Sequence, residues 1–225
     1  MRLGGWLAIV AGMWATGMGA TAASAADPNG FERDVLAEIN RARTDPRGVA
    51  NDLRRYRTAF AGRIAREDGD PVGVVTIEGR RAVDEAIEFL ERQPVLPPLG
   101  LGPVLARAAR GWADAQGRSG GIGHAGVGAR VRAAGGDVYV GETISYGMTR
   151  PAAVVRQLIV DDGQPGRRHR DLVFARGMRF AGVGCGGHAR YGTICVVDYA
   201  GTADGGPLLP QVAVAQVSRA SAFSR

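Results

Sequence analysis

Two strand-like runs close the second half of the chain, Arg179–Cys185 (RFAGVGC) and Thr193–Tyr199 (TICVVDY), separated by a short loop around GGHARYG. Apolar and β-branched residues bounded by a glycine-rich turn read as an antiparallel hairpin. The only two cysteines of the chain, Cys185 and Cys195, sit on opposite arms of it. Cross-strand neighbours can meet the distance limits of a disulfide, and the export signature described below makes oxidation reasonable. A bond between them is expected. A register displaced by one residue would leave two buried free thiols instead.

The segments before this hairpin are mainly helical in pattern. Phe31, Val35, Leu36 and Ile39 fall on one stripe, with Asn29 or Asp27 available as a cap. Val83, Ile87 and Leu90 form a second stripe, and Leu101, Leu105, Ala108, Ala109 and Trp112 a third. Pro151–Val160 is a fourth helix, because proline suits a first helical turn and Val154, Val155 and Leu158 share a face. A weaker strand pattern covers Asp137–Tyr146. Helices interleaved with a few late strands predict an α/β (α+β) domain with helices packed on a sheet.

Four polar residues stand out against this framework. His124 lies in GIGHAG, Glu142 in VGETISYG, Asp161 in LIVDDG and His169 in GRRHRDLVF, and the chain has only 3 histidines in all. Two imidazoles and two carboxylates can hold a divalent cation such as Zn²⁺ or move protons. They can equally form two His–acid pairs that brace a cleft. No short ligand spacing such as HExxH decides between these uses.

The same phrases resemble the CAP superfamily, also called SCP-like domains (cysteine-rich secretory, antigen 5 and pathogenesis-related 1 proteins). FERDVLAEINRARTDP is similar to the opening helix, with its iN..R phrase at Asn40 and Arg43, and LPPLGLGPVLARAARGWADAQ is similar to the second helix. GHAGVGARVRAAG resembles the segment of the first family histidine, GETISYG the GEN[IL]-x-x-G phrase, and RRHRDLVF the GHR-x-x-[IL] phrase. The resemblance covers about residues 31–200 and keeps the family order.

The resemblance implies a three-layer α-β-α sandwich of the CAP type. It also implies a cleft tetrad of His124, Glu142, Asp161 and His169, able to ligate a divalent metal, Zn²⁺ above all. Leu158 occupies the slot of a family Trp three residues before the second acid, which selects Asp161, with Asp162 as the fallback. Thr143 stands where the family phrase has Asn. The function implied is a secreted binding module for a lipid, sterol or extracellular protein ligand. The alternative is a peptidase-like hydrolase using the same tetrad through metal or general acid–base chemistry. No Ser or Cys nucleophile accompanies His124 or His169, so no catalytic residue is assigned.

Residues 1–25 combine Arg2, an apolar stretch from Trp6 to about Met18 and Ala23-Ser24-Ala25, which reads as a signal peptide cleaved after Ala25. A secreted or cell-envelope location follows, with no transmembrane segment in the mature chain and a single domain over 26–201. An insert is expected at about 54–98, either a surface elaboration or a lid near the cleft, and a loose tail over 202–225. The net charge is +6, carried by arginines interleaved with acids and without a stacking platform, so nucleic acid is excluded as a partner. Gly182, Gly184 and Gly187 satisfy G-x-G-x-x-G but precede a strand, which excludes a nucleotide cofactor. Gly117–Gly121 satisfies G-x-S-x-G but follows a helix, which excludes a nucleophile elbow. His188 is expected to be an exposed loop residue.

Overall fold

A computed structural model describes residues 30–67, 69 and 71–208. The expected signal peptide, the caps Asp27 and Asn29, and residues 209–225 of the tail lie outside the described residues. The protein is a mixed α/β structure. In chain order the elements are α1 (Gly30–Thr44), α2 (Pro46–Thr58), β1 (Phe60–Ala61), β2 (Ile64–Ala65), β3 (Val74–Val75), α3 (Arg80–Arg92), β4 (Gly100–Leu101), α4 (Pro103–Ser119), α5 (Val127–Ala133), β5 (Val140–Tyr146), α6 (Pro151–Val160), α7 (Arg168–Val173), β6 (Phe180–His188) and β7 (Gly192–Ala200).

The predicted hairpin is β6–β7, the centre of a sheet ordered β4-β6-β7-β5, in which only the β4–β6 pairing is parallel. Strand alternation sorts its residues between two helical layers. Ile144, Ile194 and Val196 pack with Ala109 and Ala113 of α4. Ala181, Val183, Val197 and Tyr199 face the other way, into a core shared with α1, α2, α3 and α6. Cys185 and Cys195 face each other in register and are joined by a disulfide on that second face.

Glycine on β6 sets the distance between α4 and the sheet. A Cβ on Gly182 would stand 2.0 Å from the backbone nitrogen of Ala106, and one on Gly184 would stand 2.2 Å from that of Arg110. The G-x-G spacing thus serves helix–strand contact, in keeping with the absence of a helix after β6.

The Asn40 and Arg43 phrase also has a packing role. Asn40 accepts from the Leu99 backbone N–H at 2.7 Å and donates to the Leu99 carbonyl at 3.0 Å. Arg43 is fully buried and donates to the carbonyls of Pro97, Val173, Ala175 and Met178. It fixes the extended lead into α4 to the end of α7.

Two stretches carry structure that the sequence patterns do not signal. α2 runs to Thr58 and buries Val49, Ala50 and Leu53, so it overlaps the start of the segment expected as an insert at about 54–98. Arg54, Arg55 and Arg57 on its outer side masked the apolar face. Asp45 caps the helix by accepting from Gly48 N–H at 2.9 Å, and Pro46 opens it. Within the expected tail, residues 202–208 are tied down. Asp204 and Gly205 carbonyls accept from Asp137 and Tyr139 N–H at 2.7 and 3.0 Å. No helix among the described residues is long and apolar enough to cross a membrane.

Candidate functional site

β5 is an edge strand, and a cleft of about 920 Å³ opens beside it. His124, Glu142, Asp161 and His169 all line this cleft, although they come from a loop, a strand and the two ends of the α6–α7 connection. The sequence-predicted four are therefore brought together.

His124 is delivered by the loop that leaves α4. Trp112 and Gln116, one helical turn apart, both donate to the Gly123 carbonyl. The Tyr146 hydroxyl accepts from Gly123 N–H at 3.1 Å and donates to Gln116 at 2.6 Å. Burial pushes the Tyr146 phenol up from its ordinary value, so it stays a donor. His188 completes the support. It is buried at the end of β6, not exposed as expected: Nδ1 accepts from the N–H groups of Arg190 and Tyr191, so Nε2 donates to Gly121 O at 2.8 Å. Both ring nitrogens are used in fixing the loop, because the hairpin turn folds back over the imidazole.

Each cleft histidine is held by one acid. His124 Nδ1 lies 2.9 Å from Glu142 Oε1, and His169 Nδ1 lies 2.7 Å from Asp161 Oδ1. An ionised carboxylate only accepts, so in both pairs the proton sits on Nδ1 and Nε2 is left facing the cleft. The two rings are 5.7 Å apart, centroid to centroid. The acids are almost fully covered, with 1% of the Glu142 side chain and 2% of the Asp161 side chain exposed. Their remaining oxygens are also occupied. Glu142 Oε2 accepts from Arg130 of α5, whose guanidinium lies 4.2 Å over the Trp112 ring. Asp161 Oδ2 accepts from His169 N–H at 2.9 Å.

Local backbone explains why the second acid is Asp161. It is the left-handed C-cap of α6, at φ 53°, which turns its side chain back toward α7. Asp162 points the other way and accepts from the N–H groups of Ile77 and Glu78. Glu78 in turn accepts from Gly163 N–H at 2.9 Å and from Arg167 at 2.6 and 2.9 Å, which holds its carboxyl at about 2. Arg167 also donates to the Asp161 carbonyl at 2.7 Å. The segment 60–78 thus braces the loop that presents Asp161 and His169. It also lines the cleft directly, with Phe60, Val74, Val75 and Thr76.

Gly141 explains the glycine before Glu142: a Cβ there would meet Leu172 of α7 at 2.5 Å. Thr143, the departure from the family phrase, faces the opposite side of the sheet, where its hydroxyl pairs with that of Tyr199 at 3.2 Å. It has no part in the cleft.

One buried acid beside the site escaped the sequence reading. Asp198 of β7 is fully buried and neither carboxylate oxygen has a hydrogen-bond partner. Burial first, and then the Glu142 charge, push its carboxyl up to about 8 against the opposing pull of Arg130. It is therefore a neutral acid at pH 7. A lone Asp inside the apolar run ICVVDYA was the available signal.

The arrangement supplies two imidazole acceptors with oriented rings. Glu142 and Asp161 are each hydrogen-bonded to their histidine, so every one of the four expected ligands is present in the cleft as one of two imidazole–carboxylate pairs. Among the described residues, no group of three or more His, Cys, Asp or Glu is arranged to hold an ion. No protein-family model matches the chain, and no curated protein matches it.

Proposed function

We propose that the protein is a secreted, CAP-like binding module of the α-β-α sandwich type, whose cleft takes a divalent cation through His124 and His169. One observation carries this reading: both cleft imidazoles give Nδ1 to a buried carboxylate and leave Nε2 free, 5.7 Å apart by ring centroid. Histidines that ligate metals characteristically donate their other nitrogen to a carboxylate, which fixes the ring and raises its basicity. The residues fit Zn²⁺ as two of its ligands, with water or a bound ligand completing the set. Glu142 and Asp161 act as orienting acids in this reading. A lipid, sterol or extracellular protein as the wider partner follows from the family resemblance.

Calorimetric titration of the purified mature protein with Zn²⁺ tests the reading. Binding near neutral pH that is lost in a His124→Ala, His169→Ala double variant supports it. An absence of heat in the wild type, or binding unchanged in the double variant, overturns it. Zinc-dependent or zinc-independent cleavage of peptide substrates, abolished in the same variant, would favour the hydrolase alternative.

A further inference from the structure

β5 is an edge of the main sheet, and its ladder fixes which of its main-chain groups face outward. Gly147 N–H donates to the Thr193 carbonyl at 2.9 Å, in register with the β5–β7 pairing. Antiparallel strands turn the peptide groups of alternate residues to opposite sides. Ser145, Thr143 and Gly141 therefore bond to β7, whereas Tyr146, Ile144 and Glu142 turn N–H and C=O away from it. At Tyr146 the outer edge is filled from within the chain. The Gln157 side chain accepts from Tyr146 N–H at 3.2 Å and donates to the Tyr146 carbonyl at 3.3 Å, as a peptide group of a neighbouring strand does. Further along there is no such cover. The outward N–H and C=O groups of Ile144 and Glu142 have no hydrogen-bond partner among the described residues.

Both residues line the cleft. Ile144 packs its side chain against Ala109 and Ala113 and is 6% exposed, and Glu142 is 7% exposed. Main-chain groups in so covered a place are unfavourable unless a polar partner meets them. The opposite lip has the same character. β3 is an edge of the small sheet, and Thr76 N–H donates to the Arg63 carbonyl at 2.8 Å, so Val75 turns its peptide groups away from β2. The wall between the two edges mixes Thr76, Arg156 and Gln164 with Val74 and Ile122. An acyl chain in this place leaves the outward N–H and C=O groups unpaired. An extended polypeptide offers them an acceptor and a donor at matching spacing. From Glu142 to Tyr146 the edge measures about 14 Å at about 3.4 Å per residue, room for about four residues of such a chain.

We propose that the cleft binds an extended polypeptide segment by strand addition, its main chain paired with Ile144 and Glu142 on the free edge of β5. Pairing stops at Tyr146, where Gln157 already fills the rung. The proposal rests on the reading of this cleft as a ligand site, names the partner class and its mode of docking, and does not require the cation. Main-chain hydrogen bonds supply affinity in this mode, and pockets for alternate side chains supply selectivity. Side chains opposite Ile144 point to the α4 side of the sheet, and their neighbours point to the α6 side.

The test is amide hydrogen exchange and nuclear magnetic resonance titration of the mature protein with a metal chelator present. The probes are three blocked tetrapeptides, built from alanine, from alternating valine and threonine, and from alternating leucine and serine. A fully N-methylated counterpart of each keeps the side chains and carbonyls and has no N–H to donate. At least one parent peptide should bind at a single site, and at saturation the Ile144 amide should exchange about tenfold more slowly or less. Its N-methylated counterpart should bind about tenfold more weakly or less, the scale of one or two lost hydrogen bonds. An N-methylated peptide that binds as tightly as its parent, or Ile144 exchange unchanged at saturation, overturns the proposal. Ile144 protection that follows protein concentration without peptide gives the edge to a second copy of the chain and overturns it too. Zinc binding with none of the three peptides bound overturns it and leaves the cation reading standing. Peptide binding as described without zinc binding upholds it and removes the cation reading.

Discussion

Asp198 stands directly across the β5–β7 ladder from Glu142, on the same face of the sheet, and the two carboxyl groups share a single arginine, Arg130. Two acids with one counter-charge in a buried place settle into one ionised and one neutral member. Glu142 has both the arginine and the His124 N–H, so the proton stays on Asp198. This arrangement makes a consequence for stability that can be signed. The folded-state carboxyl of Asp198 is raised to about 8, whereas an unfolded chain releases the proton near 3.9. Between those values the folded state binds more protons, so this group's contribution falls as pH rises from about 4 to about 8 and is level above.

Asp198→Asn removes that proton uptake while keeping the shape. Its melting temperature relative to wild type should therefore rise between pH 5 and pH 8. The change should be several degrees, since about 1 kcal/mol moves a domain of this size by roughly 2–4 °C. Parallel thermal melts at the two pH values measure it, and a constant difference would refute the neutral-acid assignment.

Glu78 should show the opposite sign. Its carboxyl is lowered to about 2 by Arg167 and Gly163 N–H, so its contribution is present above the ordinary carboxylate range and is lost as pH falls through about 2. Glu78→Gln should lower the melting temperature at pH 7 by several degrees, in line with about 1.5–3 kcal/mol for hydrogen bonds to a charged group. The gap should close on acidification toward pH 2. Because Glu78 braces the loop of Asp161 and His169, the variant should also perturb the His169 imidazole resonances at neutral pH more than those of His188.

If the acids orient and do not ligate, Asp161→Asn and Glu142→Gln should each weaken zinc binding by about 10–100-fold, as loss of an outer carboxylate does. Removing the paired histidine should cost more than removing its acid. Equal losses for acid and histidine variants in zinc titrations would return the carboxylates to the inner ligand set.

The Cys185–Cys195 bond spans a sequence separation of 10 residues within an already paired hairpin. A loop of that size contributes somewhat under about 3 kcal/mol in the chain-entropy account. Replacing both cysteines with Ser should lower the melting temperature by several degrees and leave the tetrad cleft intact, as read by histidine chemical shifts. Complete loss of structure would show the bond to be required for folding.

The parts of the molecule that were legible in sequence are those with a strong period or a strong local phrase. The α1, α3, α4 and α6 stripes repeat at helical spacing, and the β6–β7 runs are apolar and bounded by glycine. The cleft residues were legible because each sits in its own phrase. What the sequence hid follows from tertiary context. The β1–β3 sheet has two-residue strands, too short to carry alternation. α5 and α7 have seven and six residues, less than two full turns, and are fixed by what packs on them. The division of labour within the tetrad depends on which oxygen meets which nitrogen, and no residue pattern encodes that. His188 was misplaced because a polar residue in a glycine-rich turn reads as solvated, whereas the turn folds back over it.

Gly182 and Gly184 let α4 lie so near β6 that helix and strand meet backbone to backbone there. At those two positions no side chain separates helix from strand, so the spacing of α4 from β6 is set by backbone contact. His124 hangs from this helix and strand through Trp112, Gln116 and His188. His169 is carried by α7, whose Val173 lies in the main core and whose preceding loop is tied to Glu78 and Glu85 through Arg167. The two cleft imidazoles, which face each other at 5.7 Å, are therefore carried by separate supports on the two sides of the cleft.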